Sequence, residues 1–141
     1  MNAFRAITAA CLFTAATATY AWAVDFDKLP LIKDLPAGFV QVSPMIPMLG
    51  EHFDDEKTGT VPHGEAYAGY KGKVIAVEYL MTPDEFAAGK TWKGLKSVDG
   101  MPPVDHIDID YDPKGHGDWH VPLYMLRVYY VSNDFLAQMK P

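Results

Sequence analysis

Three of the chain's five histidines fall in one short segment, DHIDIDYDPKGHGDWH, as His106, His116 and His120. Imidazole and carboxylate groups are the common ligands of zinc, copper and related divalent ions. Strict alternation in Val104–Asp112 (VDHIDIDYD) predicts a strand, with His106, Asp108 and Asp110 on one face and Ile107, Ile109 and Tyr111 on the other. A loop, Pro113–His120, then brings back His116 and His120. His52, after Gly50-Glu51, is a fourth candidate ligand, or else a hydrogen-bonded anchor for its loop. The chain has no H-E-x-x-H, and the spacings match no standard site. The same residues therefore also read as a solvated acidic strand face beside a turn, or as a general acid–base pair.

Glu78 lies within the apolar run VIAVEYL, where a carboxylate needs a partner. Arg127, within VPLYMLRVYYV, is the only arginine besides Arg5. A Glu78–Arg127 or Asp108–Arg127 pair is expected, giving an acidic pocket of Glu78, Asp108 and Arg127 beside His106. Tyr67, Tyr79, Tyr129 and Trp119 are either ordinary core or the wall of an apolar pocket for a small molecule. Met45 and Met48 read as core filling. No nucleophile elbow, phosphate-binding loop or dinucleotide fingerprint is present, so no catalytic residue is assigned.

Residues 1–23 have the form of a secretory leader. Arg5 is their only charged side chain, an apolar run follows, and Ala21-Trp22-Ala23 supplies an A-x-A cleavage site. The run is too short to cross a bilayer of about 30 Å, so no stable membrane insertion is expected after cleavage. Residues 24–141 then form a single periplasmic or secreted domain. Cys11 leaves with the leader, which excludes a disulfide and thiol catalysis. The chain carries 18 acidic and 12 basic side chains, a net charge of −6; losing Arg5 leaves 11 basic groups and −7. Such a surface repels phosphate backbones, so nucleic acid is not an expected partner.

The positioning elements follow from local signals. Asp25–Pro36 reads as an ordered arm, Phe39–Val42 as a short strand, and the proline-broken Ser43–Leu49 as an apolar loop. Asp54–Gly64 reads as a surface loop. Glu65–Met81 predicts a β-hairpin turning at Lys71-Gly72. Thr82, Pro83 and Glu85 open a short helix that Gly89 stops. Thr91–Pro103 is loop-like, Val121–Val131 predicts a central strand, and Asn133–Lys140 a final helical turn or two. The expected fold class is α+β, mostly antiparallel β, a small single domain with one or two short helices.

SPMIPMLGEH, YKGKVIAVEYLM, DEFAAGKTW and PPVDHIDIDYDPKGHGDWHVP, in this order, resemble a family of exported bacterial and archaeal proteins of unknown function. That family is named after a thermophile locus and is associated with envelope stress and large homo-oligomers. The resemblance spans Phe39 to Val131 and implies a β-rich fold, self-assembly and no established activity. The family's last strand carries His, Asp and His where Leu123, Met125 and Arg127 stand here, which implies that any shared metal site is depleted in this chain. The expected function is thus an exported, self-associating, non-enzymatic homo-oligomer that needs no cofactor. The alternative is a zinc- or copper-binding protein, or a metal-dependent enzyme, using His52, His106, His116 and His120.

Overall fold

A computed structural model describes residues 24–55, 64–95, 97–115 and 120–141. Residues 1–23, expected to be a leader, therefore lie outside the described residues, as do His116 and Trp119. Six strands form one antiparallel sheet: β1 (Phe39–Gln41), β2 (Glu51–Asp55), β3 (Gly64–Tyr70), β4 (Lys73–Met81), β5 (His106–Asp112) and β6 (Leu123–Tyr129). Their spatial order is β1-β2-β3-β4-β6-β5. Two short helices, α1 (Pro83–Ala87) and α2 (Asn133–Gln138), complete an α+β domain that is mostly antiparallel β. Among the described residues, no helix is long and apolar enough to cross a membrane.

Local chemistry explains these elements. The β3–β4 turn places Lys71 and Gly72 at φ 47° and 76°, the left-handed pair that matches hairpin twist. Thr82 Oγ1 accepts from Glu85 N–H, and Glu85 Oε2 accepts from Thr82 N–H at 2.9 Å, closing the expected capping box of α1. β4 is a nearly continuous apolar run because both its faces are covered. The main core gathers Tyr67, Ile75, Val77, Tyr79, Val131, Leu136 and Met139. The N-terminal arm forms two 3-10 turns, Phe26–Lys28 and Ile32–Asp34, and Lys73 Nζ ties it down by donating to the carbonyls of Asp27 and Leu29.

One strand departs from expectation. β2 occupies Glu51–Asp55, a stretch read as the end of one loop and the start of another. Only Phe53 in EHFDD is apolar, so period-2 hydrophobicity could not mark it. Gly50 permits its entry: φ is +91°, and a Cβ there would stand 2.5 Å from the Gly69 carbonyl oxygen.

Candidate functional site

The sheet register divides the side chains cleanly. Paired Cα partners share a face, so one face carries His52, Ala66, Ala68, Ala76, Glu78, Met125, Arg127, Tyr129, His106, Asp108 and Asp110. His52 and Glu78 stand on β2 and β4, two strands apart. β3 presents only Ala66 and Ala68 between them, so the imidazole reaches the carboxylate over small methyl groups. His52 Nε2 lies 3.4 Å from Glu78 Oε1. Arg127 Nε donates to the same oxygen at 2.6 Å, and its Nη1 contacts Asp110. Nη2 lies 3.2 Å from the Met125 sulfur. The result is an ionic chain running across the sheet, buried at His52, Glu78 and Arg127 and open to solvent at Asp110.

This arrangement fixes charges. Burial pushes the Glu78 carboxyl up, but the His52 and Arg127 contacts outweigh it and hold the group below its ordinary value. Burial likewise opposes the Arg127 charge, and Glu78 more than restores it. At the far end, Ser43 Oγ accepts from the His52 backbone N–H at 3.0 Å and meets His52 Nδ1 at 2.8 Å. The Ser43 hydroxyl also donates to the Pro44 carbonyl at 3.0 Å, which fixes the serine between its own loop and His52. Serine, imidazole and carboxylate thus stand in line, but the hydroxyl is clasped by the same residue through ring and backbone. The unit is a clamp joining the 43–50 loop to β2, β4, β6 and β5.

Sequence reasoning anticipated the Glu78–Arg127 pair and its face. It also offered Asp108 as a partner. The register does set Asp108 opposite Arg127, yet the guanidinium reaches diagonally to Asp110 instead. Asp108 lies 3.9 Å from His106 Nε2 and half-exposed. His106 Nδ1 bonds Asp105 at 2.8 Å, and its ring stacks on Tyr129 at 4.7 Å between centroids. Burial raises the Tyr129 phenol to about 12 despite the pull of Arg127.

The four-histidine metal grouping is not assembled. His52 and His106 occupy one row of the sheet at positions four strands apart, about 19 Å along it at ~4.8 Å per strand. His120 is exposed, and His116 lies outside the described residues. Among the described residues no three His, Cys, Asp or Glu side chains are grouped to hold a metal ion. Of the aromatics offered as an apolar pocket, Tyr67 and Tyr79 lie on the opposite face from Tyr129, all three are core, and Trp119 lies outside the described residues.

The second feature was not anticipated. Ile107, Ile109 and Tyr111 on the outermost strand are 56%, 65% and 51% exposed. Half-buried Tyr124, Leu126 and Val128 of β6 continue this face inward. Tyr111 and Tyr124 lie 4.9 Å apart, Tyr124 and Phe86 5.3 Å, and Phe86 and Trp92 4.9 Å. An aliphatic row thus leads into a cluster of four aromatic rings, with Phe86 itself half-exposed. Alternation revealed the row but could not show that nothing in the described fold covers it.

No family model matches the chain, and no curated protein matches it. A solved structure does: hypothetical protein TTHB210 from Thermus thermophilus is similar with a TM-score of 0.56 and 20% identity, over 67% of this chain and 89% of that one. At that identity the likeness speaks for the fold alone.

Proposed function

We propose that the protein is an exported, non-catalytic domain that associates with copies of itself. The assembly surface is the apolar row of β5, with Tyr124, Phe86 and Trp92 beside it. The observation that carries this reading is the exposure of Ile107, Ile109 and Tyr111 together on one edge strand. A contiguous apolar strip of this kind marks an interaction surface, and aromatic residues are favoured at such contacts. Laying the row of one copy on that of another makes a self-complementary contact. The buried Glu78–Arg127 clamp serves as scaffold in this reading, and no cofactor is needed. The acidic surface argues against nucleic acid as a partner. The leader directs the domain to the periplasm or beyond.

Light scattering on the purified domain tests the proposal. The expected mass is at least twice that of one chain, and Ile109→Ser with Tyr111→Ser reduces it to one chain that melts no lower than the parent diluted to its monomer. A monomeric parent at micromolar concentration refutes it. Intact mass should place the N-terminus at Val24. Elemental analysis tests the alternative: stoichiometric zinc or copper would favour a metal-binding protein built on the histidines.

A further inference from the structure

β5 lies at one edge of the sheet. Among the described residues it pairs only with β6, over seven consecutive positions without a register shift. Edge strands are normally blunted by charged side chains, lysine above all, by proline or by a bulge. HIDIDYD has no lysine, proline or bulge, and its protecting charges are aspartates of one sign, which deter an acidic edge but not a basic one. Its side chains form two rows of opposite character: apolar Ile107, Ile109 and Tyr111, and acidic Asp108, Asp110 and Asp112 beside His106, with Asp110 already in contact with Arg127. The carboxylates of Asp108 and Asp110 are about half-exposed at 49% and 54%.

These rows select a partner. An antiparallel pairing of β5 with β5 of a second copy, centred on Ile109, would set Asp108 against Asp110 twice. Like charges directly opposite destabilise such a pair. A strand with lysine or arginine at every second position would instead place cations beside the aspartates. Its intervening aliphatic or aromatic residues would extend the apolar row. We infer that the free edge of β5 accepts an extended polypeptide segment of alternating basic and apolar residues, added as a seventh strand. Main-chain pairing supplies the attachment, and the two rows supply the selection. The inference rests on reading β5 as an association surface. It does not require self-association, because the added strand lies beside the apolar row and not on top of it.

The probe is a fluorescein-labelled nonapeptide alternating lysine and valine, titrated against the intact domain and followed by anisotropy. Saturable binding is expected, weakened by added salt and by about two- to fivefold in Asp108→Asn, which keeps the side chain's size and sets no like charge against Arg127. A glutamate–valine nonapeptide and a block peptide of the same lysine–valine composition should not bind. N-methylation at alternate residues should abolish binding in one of its two phases. Hydrogen exchange should slow in His106–Asp112 when the probe is bound. Absence of binding, equal binding of the block peptide, indifference to N-methylation in both phases, or protection elsewhere overturns the inference. Light scattering on the same samples keeps the two proposals apart. An assembled protein that ignores the probe would retain self-association and lose strand addition, and a monomer that binds it would do the reverse.

Discussion

The two faces of the sheet across β4, β6 and β5 make the most instructive contrast in this molecule. On one, Arg127 and Glu78 are charged and buried. On the other, Ile109 and Tyr111 are apolar and exposed. Both invert the ordinary partition of residues between core and surface. The buried charges are compensated, since Glu78 receives Arg127 and His52, and Arg127 also reaches Asp110. The exposed apolar groups have no such compensation among the described residues. The first inversion is thus complete within the chain and belongs to stability. The second becomes favourable only when another surface arrives, and belongs to association.

Substitutions should separate these roles. Arg127→Ala is expected to have the largest effect, because it leaves Glu78 buried without its guanidinium; a loss of roughly 3–5 kcal/mol should appear as a large fall in melting temperature. If Arg127→Ala melts like the parent, the clamp is not the stabilising half of the contrast. Gly50→Ala should cost about 1–3 kcal/mol in denaturant titration, through its positive φ and the approach of the Gly69 carbonyl.

Acid should act on the clamp more gently. The Glu78 value is depressed in the folded state, so its contribution is present above the ordinary 4.5 and is lost as pH falls through the folded value. Melting temperature should therefore drop on acidification below about 4.5 in the parent, and Glu78→Gln should start lower and show a flatter profile. A parallel profile for both proteins would place the acid sensitivity elsewhere. At dilutions where the protein is a single chain, Ile109→Ser should have the smallest effect on stability, within about 0.5 kcal/mol, because the side chain is 65% exposed. Its effect should appear in the mass measured by light scattering. A large loss of stability would mean that the row is already covered within one chain.

Much of this contrast could be read from residue types. Glu78 inside VIAVEYL demanded a partner, and one arginine was available in the strand predicted at 121–131. Period 2 in HIDIDYD separated Ile107, Ile109 and Tyr111 from the aspartates. Choosing Asp110 over Asp108 depended on the reach of a guanidinium across a twisted register, which no alternation encodes. The place of His52 in the clamp needed β2, and EHFDD carries too little hydrophobic pattern to announce a strand.

The sequence by itself determined the hairpin at Lys71-Gly72, the capping box at Thr82 and Glu85, and the alternation of β5, because each depends on backbone preferences or side-chain periods within a few residues. Only the tertiary structure decided that β5 lies at the edge, that Ala66 and Ala68 leave room for His52 to meet Glu78, and that His52 and His106 stand four strands apart. Those outcomes depend on strand order and register, which are set by contacts between residues distant in the chain. A local pattern is compatible with several such pairings, and packing of the whole sheet selects one.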